Sequence, residues 1–342
     1  MKLHSLRSLL GLTALLSILS GATKAQTVEA PELLKPHLVR LDDGRRLNMV
    51  CFGKGAPTVI FEHGGDGSIL DWRKVERPVS AITRACFYNR AGFGASDPPR
   101  EPLTGIAVTD DLHALLQKAN IKGPIVIVGH SIGGFYATLF ADRFPSVVAG
   151  LVLLDPAFAG QFNPKAADDR EKGLNNIARG TVNLHICAAL AREGKVTPTD
   201  THHCFMMGFG KTPDEAKYMT DMFTKPYWFE AEASQSEHYF PNSDAEPEDW
   251  REEREARRSF GNIPIVVLSA GRVEDDRDSW QSDAAFQEST NLWRQGHKEL
   301  AARSTRGEFA IVPGAGHFIQ MSAPQRTIDA IAKVVAEVRA ER

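Results

Sequence analysis

A β-branched run that ends in Gly-His-Ser-Ile-Gly constrains this chain more than any other feature. Residues 125–128 read as a buried strand, residues 129–133 form a Gly-x-Ser-x-Gly turn, and a helix-like segment follows at 134–144. This order is typical of a nucleophile elbow, in which a strained turn lifts a serine hydroxyl above a sheet. Glycines on both sides leave room around the serine. We therefore predict that Ser131 is a nucleophile; an ordinary turn around a serine is the alternative.

The rest of the chain alternates short apolar strands with helical segments. We predict further strands at 37–41, 48–52, 58–62, 85–89, 150–154, 263–268 and 308–312. Helical spacing predicts helices at 72–82, 104–119, 284–302 and 324–340. Such alternation is typical of an α/β fold with a mostly parallel central sheet that is flanked by helices.

The alternation stops between residues 156 and 258, where no strand pattern is present and large aromatic side chains are frequent. We interpret 156–258 as a mostly helical cap that interrupts a core formed by 26–155 and 259–342. Within the cap, residues 244–258 place acids first and arginines last, a charge order that suits a helix dipole. This order predicts a solvated helix there.

The first 25 residues read as a secretory signal peptide. Lys2 and Arg7 precede an apolar run, and Thr23-Lys24-Ala25 places small residues where signal peptidases cut, between Ala25 and Gln26. A membrane anchor is the alternative, but it needs about 20 apolar residues. We expect export to the periplasm or outside the cell, with no stable membrane insertion after cleavage.

Composition limits the partners and cofactors. The 40 basic and 43 acidic residues give a net charge of −3, which provides no electrostatic footprint for nucleic acid. We expect a small-molecule substrate and no cofactor or metal; the oligomeric state stays open.

The chain has four cysteines. Cys51 and Cys86 lie in apolar strand-like runs, where a thiol behaves as a small core residue. Cys187 and Cys204 lie in the cap, and we predict a disulfide between them in an oxidising compartment. Zinc binding with the neighbouring histidines 185, 202 and 203 is the alternative, although no Cys-x-x-Cys spacing supports it.

Two glycine-rich loops supply further candidate groups. Residues 61–67 follow a strand and carry Gly64-Gly65, so we nominate the amides of Gly65 and Ile132 as an oxyanion hole. His317 follows the last predicted strand after a run of small residues. It therefore lies at the carboxyl end of a strand, where α/β sheets gather reactive groups. We predict that His317 is the general base.

These motifs together resemble the α/β-hydrolase family, in particular its cap-bearing serine-esterase-like branch. The resemblance rests on Glu-His-Gly-Gly at 62–65, Asn-Arg-Ala-Gly-Phe-Gly-Ala-Ser-Asp at 89–97, Gly-His-Ser-Ile-Gly at 129–133 and Gly-Ala-Gly-His at 314–317. The family usually has Asp where this chain has Asn89, in a turn that is structural. The likeness implies a Ser-His-acid triad that hydrolyses esters through an acyl-enzyme.

The identity of the acid stays open between two positions. In the family the acid follows the strand after the cap, which favours Glu274, or ends the strand before the cap, which favours Asp155. The end of a strand holds a side chain rigidly, whereas Glu274 begins a run of acids. We favour Asp155.

The substrate is predicted from the cap, whose aromatic and methionine side chains favour a small apolar carboxylic ester. The alternatives on the same fold are a proline-iminopeptidase-like aminopeptidase, a lactonase or a carbon–carbon bond hydrolase. A non-catalytic binding protein is the alternative from another class.

Overall fold

The computed structural model describes residues 32–162, 167–197, 200–204, 212–242, 245–271 and 282–341. The predicted signal peptide and Glu274 lie outside these ranges, as do Met206, Met207 and Phe209 of the cap.

Within the described residues, eight strands form one central sheet. The strands are β1 (Leu38–Arg40), β2 (Arg46–Phe52), β3 (Thr58–Glu62), β4 (Ala85–Tyr88), β5 (Ile125–His130), β6 (Val148–Leu154), β7 (Ile265–Ala270) and β8 (Gly307–Val312). Their spatial order is β1-β2-β4-β3-β5-β6-β7-β8. The β1–β2 and β2–β4 pairs are antiparallel, and every later pair is parallel. The carboxyl ends of β3 to β8 therefore share one edge.

The helices of the described residues cover both faces of the sheet and occupy the segment predicted as the cap. They are α1 (Glu76–Ile82), α2 (Gly105–Lys118), α3 (Ile132–Arg143), α4 (Ala167–Arg192), α5 (Pro213–Phe223), α6 (Pro226–Tyr239), α7 (Glu248–Ala256), α8 (Asp283–Ala301), α9 (Ile319–Ser322) and α10 (Pro324–Ala340). Helices α4 to α7 lie between β6 and β7, where the cap was predicted. No helix in the described ranges is both long enough and apolar enough to cross a bilayer.

The central strands are buried on both faces. Every residue of β5 and of β7 is buried, which explains why their sequences are apolar without alternation. One core on one face includes Phe135 and Phe140 of α3. A second core on the other face includes Trp72 and Ile331. The predicted α/β fold with a mostly parallel sheet flanked by helices is confirmed.

The predicted helix at 72–82 is shorter in the structure. A 3-10 helix, Ile69–Trp72, precedes it, and Ser68 and Asp71 cap this short element. Helix α1 then begins at Glu76. Pro78 lies in its first turn, where a residue without an N–H is tolerated. The proline therefore marks the start of this helix.

The prediction of a solvated helix at 244–258 is wrong for three of the five acids of α7. Asp249, Glu252 and Glu253 are buried. Asp249 Oδ1 accepts the amide of Gly105 at 2.8 Å, and Glu252 Oε2 accepts the amide of Ile106 at 2.7 Å. These carboxylates lie at the positive end of the α2 dipole, which stabilises them.

Two disulfides are present. The predicted bond between Cys187 and Cys204 is confirmed, with their Cα atoms 5.4 Å apart. The interpretation of Cys51 and Cys86 as core thiols is wrong, because they form a second disulfide. The two residues are directly opposite each other in the β2–β4 register. An apolar strand context in the sequence does not reveal which strands will be neighbours.

Candidate active site

Ser131 lies between β5 and α3 in a strained backbone conformation, with φ 54° and ψ −127°. The glycines on either side are required by close backbone contacts. A Cβ on Gly129 would lie 2.5 Å from the carbonyl oxygen of Gly133, and a Cβ on Gly133 would lie 2.3 Å from that of His63. The half-buried Ser131 thus occupies the geometry of a nucleophile elbow.

Backbone hydrogen bonds hold Ser131 in this conformation. Its amide donates to the carbonyl oxygen of Leu154 at 3.1 Å, and its own carbonyl oxygen accepts from Ala157 at 2.9 Å. The end of the neighbouring strand β6 therefore stabilises the strained residue.

His317 and Asp155 meet at the same edge of the sheet. His317 Nδ1 lies 2.7 Å from Asp155 Oδ2. Asp155 directly follows β6, and the His317 side chain is 26% exposed while that of Asp155 is 2% exposed. Because an ionised carboxylate only accepts, Nδ1 carries the proton and Nε2 is left to take one from a hydroxyl.

Three further groups donate to the carboxylate of Asp155. Oδ1 accepts the amide of Ala270 at 2.8 Å and the indole Nε1–H of Trp293 at 3.0 Å, and the Ser269 hydroxyl lies 3.5 Å away. Burial raises the pKa of Asp155, but the hydrogen bond from His317 and the other partners outweigh it and lower this pKa to about 2. Asp155 is therefore ionised at neutral pH, as an orienting acid requires.

Two buried histidines lie close to the pair. His130 Nε2 donates to the carbonyl oxygen of His317 at 3.1 Å, which fixes the loop that carries the candidate base. His297 Nε2 donates to the carbonyl oxygen of Pro156 at 2.8 Å. Burial lowers the pKa of His130 to about 3 and that of His297 to about 4, so both are neutral at pH 7. Sequence analysis placed His130 in the elbow motif without a role of its own and missed His297 and Trp293, for which the four-residue spacing on α8 was the available signal.

The nominated oxyanion donors lie on adjoining segments. Gly65 follows β3, and a Cβ placed on it would lie 3.9 Å from Ile132 Cγ2. Ile132 is the first residue of α3, where an N–H has no acceptor within the helix. In the described part of the chain the Gly65 amide has no hydrogen-bond acceptor. Both amides are thus available to an anionic oxygen above Ser131.

Arg90 holds the loop that carries Gly65. Its Nη1 donates to Glu62 Oε1 and to the carbonyl oxygen of His63, both at 2.6 Å. Its Nη2 donates to the carbonyl oxygen of Gly64 at 2.7 Å and to Gln235 Oε1 of α6 at 3.1 Å. Because Arg90 occupies the carbonyl oxygens on one side of the loop, it orients the peptide groups of the candidate oxyanion hole. The motif at 89–97 therefore supports the loop after β3.

Five of the large apolar side chains that predicted an apolar ester are buried by packing and do not line an open pocket. Buried members are Met222, Phe223, Trp228, Phe229 and Tyr239. Phe223 and Phe229 both make edge contacts with Trp228, at ring separations of 4.6 and 4.9 Å. Their first role is to form the core of the cap. The described residues contain no group of three or more His, Cys, Asp or Glu side chains arranged to hold a metal ion.

The comparisons with known proteins agree with this fold. A family model described as the alpha/beta hydrolase family matches residues 59–330. The chain belongs to the α/β-hydrolase family. An uncharacterised protein of Schizosaccharomyces pombe is 25% identical over 312 residues, covering 82% of this chain and 52% of that protein. An uncharacterised vacuolar membrane protein of Saccharomyces cerevisiae is 31% identical over 147 residues, covering 38% of this chain and 23% of that protein.

Two solved structures illustrate the shared fold of the α/β hydrolases. A thermophilic esterase from Thermogutta terrifontis has a TM-score of 0.58 and 21% identity, covering 89% of this chain and 99% of its own. A loop variant of a haloalkane dehalogenase from Bradyrhizobium elkanii has a TM-score of 0.65 and 16% identity, covering 90% and 98%. At these identities the likeness concerns the fold alone.

Proposed function

We propose that this α/β hydrolase is a serine hydrolase that cleaves carboxylic esters through an acyl-enzyme. The observation that carries the proposal is the 2.7 Å contact between His317 Nδ1 and Asp155 Oδ2 at the sheet edge that bears Ser131. His317 Nε2 takes the hydroxyl proton of Ser131, which attacks the ester carbonyl. The amides of Gly65 and Ile132 stabilise the oxyanion, and water then releases the acyl group.

The nature of the nucleophile separates this proposal from other chemistries on the fold. Dehalogenases and epoxide hydrolases of this family use an Asp nucleophile, and this chain has Ser131 at the elbow. A fluorophosphonate probe labels activated serines and tests the proposal directly. We expect labelling and ester hydrolysis by the wild-type protein, neither by Ser131→Ala, and both by Ser146→Ala, which changes an exposed serine. Equal labelling of Ser131→Ala and wild type would refute the mechanism.

The role of Asp155 is tested against the alternative acid. Asp155→Asn should lower kcat by about 10⁴-fold, because it leaves His317 in the wrong tautomer. Glu274→Gln serves as the matched control and should retain activity. The opposite ranking of the two variants would assign the acid to Glu274.

Export is part of the proposal. Two disulfides in one chain favour an oxidising compartment, which agrees with the predicted signal peptide. Fractionation of cells that express the full chain, followed by N-terminal sequencing, should find the protein outside the cytoplasm and beginning at Gln26. A cytoplasmic chain with an intact N-terminus would contradict export.

The bond and the acyl group are tested with a substrate panel. Aliphatic esters of increasing acyl length should show a rising and then falling kcat/KM, since each buried methylene contributes about 0.8 kcal/mol until the pocket is full. Amides and lactones in the same panel test the alternatives. Turnover of these substrates at higher kcat/KM than any ester would replace the ester assignment.

A further inference from the structure

Two carboxylates from different parts of the fold meet beside the candidate oxyanion hole. Asp66 follows Gly65 in the loop after β3, and Glu232 lies on α6 of the cap. Glu232 Oε1 accepts a hydrogen bond from the amide of Asp66. Glu232 Oε2 lies 3.9 Å from the place where a Cβ on Gly65 would lie. The acidic pair therefore borders the position where the proposed reaction places the substrate carbonyl.

Among the described residues, neither carboxylate forms a salt bridge with an Arg, Lys or His side chain. Glu232 is only 8% exposed. Within the described ranges, neither its Oε2 nor the side-chain oxygens of Asp66 take part in a hydrogen bond or salt bridge. The guanidinium nearby, Arg90, is occupied by Glu62 and by the carbonyl oxygens of the loop. Glu232 is buried and Asp66 is half-buried, so neither charged form is fully stabilised by the protein itself, and a positive group of the substrate would stabilise both.

The raised pKa values of Asp66 and Glu232 agree with a site for a positively charged group. Burial raises the pKa of Asp66 to about 6, and His317 and Arg90 offset only part of the rise. Burial and the charge of Asp66 raise the pKa of Glu232 to about 8, against the influence of Arg90. A cation placed between the two would favour their charged forms and be attracted in return.

We propose that Asp66 and Glu232 bind a protonated amine of the substrate, so that the preferred acyl group carries an amino group on the carbon next to the scissile carbonyl. This inference rests on the proposed serine hydrolase function and names its substrate class as amino-acyl esters or amides. The closeness of Glu232 Oε2 to Gly65 sets the short distance between amine and carbonyl. The rest of the acyl group stays small and apolar.

Glu232 also has a structural role, because it accepts the hydrogen bond from the Asp66 amide. The variants must therefore remove its charge and keep this hydrogen bond. Glu232→Gln keeps an oxygen that accepts this hydrogen bond and removes the charge. Asp66→Asn does the same for its partner, and Asn tolerates the positive φ of 45° at this position. Glu230→Gln is the matched control, because Glu230 lies on the same helix but is exposed and paired with Arg192.

Binding tests the amine site without turnover. Alaninamide and isobutyramide have nearly the same shape. In alaninamide an ammonium group replaces one methyl group of isobutyramide. Calorimetry on Ser131→Ala should find alaninamide bound at least about tenfold more tightly, a difference of about 1.4 kcal/mol. Adding Glu232→Gln and Asp66→Asn together should reduce the ratio of the two affinities to about one, whereas adding Glu230→Gln should not change it. Equal affinities in the Ser131→Ala protein, or an unchanged ratio in the combined variant, would overturn the amine site.

Turnover then separates the two proposals. The wild-type protein should hydrolyse alanine ethyl ester with a higher kcat/KM than ethyl isobutyrate, and the ratio should fall in Glu232→Gln. If both esters are cleaved by Ser131 at equal kcat/KM, the serine hydrolase stands and the amine site is wrong. If neither is cleaved although alaninamide binds selectively, the hydrolytic proposal fails and the amine site stands.

Discussion

The indole Nε1 of Trp293 lies 3.0 Å from Oδ1 of Asp155, while His317 occupies Oδ2 of the same carboxylate. Trp293 lies on α8, and its ring is also 6.4 Å from that of His317. One side chain thus restrains both members of the proposed His–Asp pair. We expect Trp293 to be a positioning residue, which acts on the reaction through its hydrogen bond to Asp155.

Trp293→Phe keeps most of the ring and removes the donor. A hydrogen bond to a charged group contributes about 1.5–3 kcal/mol, so its loss should raise the pKa of Asp155 by about one to two units. Without this donor the carboxylate attracts a proton on His317 more strongly. We therefore expect the acid limb of the kcat/KM profile, which reports protonation of the general base, to move to higher pH, with a smaller loss of kcat at pH 7. A pH–rate series measures both. Trp228→Phe, which removes a buried indole whose Nε1 has no hydrogen-bond partner among the described residues, should leave the limb in place. A merely structural role for Trp293 would lower kcat at every pH alike.

The sheet shows which parts of the site were accessible from sequence. The turn at Ser131 was predicted because the strand, the motif and the helix are contiguous in the chain. Asp155 and His317 are 162 residues apart, and they meet only because β6, β7 and β8 are neighbours in the sheet. The sequence therefore nominated both residues but left Glu274 open as the acid.

The wrong predictions also concern contacts between elements that are distant in the sequence. Cys51 and Cys86 pair because β2 lies next to β4, and no local pattern contains that adjacency. Asp249 and Glu252 of α7 are buried because the N-terminus of α2 lies against them. Local patterns predict elements, whereas the partners of a side chain depend on how distant elements pack.

The stability of the fold should depend on pH through His297. Burial holds its pKa at about 4 in the folded protein, while the unfolded value is about 6.5. Between these two pH values the unfolded state binds a proton that the folded state does not, so the free energy of unfolding falls as pH falls. The contribution is about 1.4 kcal/mol per pH unit at most, and it ends below pH 4, where both states are protonated.

Urea unfolding of the wild type and of His297→Gln at several pH values between 7 and 4 tests this. Gln keeps a donor for the carbonyl oxygen of Pro156, and we expect it to show the shallower decline. Replacing the exposed His202 by Gln should leave the wild-type slope unchanged. Parallel curves for the wild type and His297→Gln would show that His297 is not kept neutral by the fold.

Both disulfides should stabilise the protein by restricting the unfolded chain. The loops they close span 35 and 17 residues, which correspond to about 4 and 3 kcal/mol on the chain-entropy model. Cys51→Ala/Cys86→Ala should therefore unfold at lower urea concentration than Cys187→Ala/Cys204→Ala, and both before wild type. Intact mass should rise by four hydrogens when wild type is denatured and reduced. A smaller gain would mean that at least one bond is absent.

Ser131 offers a test in which stability and activity move in opposite directions. Its φ of 54° and ψ of −127° lie in a region that side chains with a Cβ adopt only under strain, at a cost of about 1–3 kcal/mol. Ser131→Gly removes that strain, although glycine adds up to about 1 kcal/mol of unfolded-state entropy. We expect Ser131→Gly to be inactive and about 1 kcal/mol more stable than Ser131→Ala, which keeps the Cβ. At Ser146, whose φ is not positive, the same comparison should favour Ala. If Ser131→Ala were the more stable variant, the elbow would hold no strain, and a property expected of a nucleophile turn would be missing from this protein.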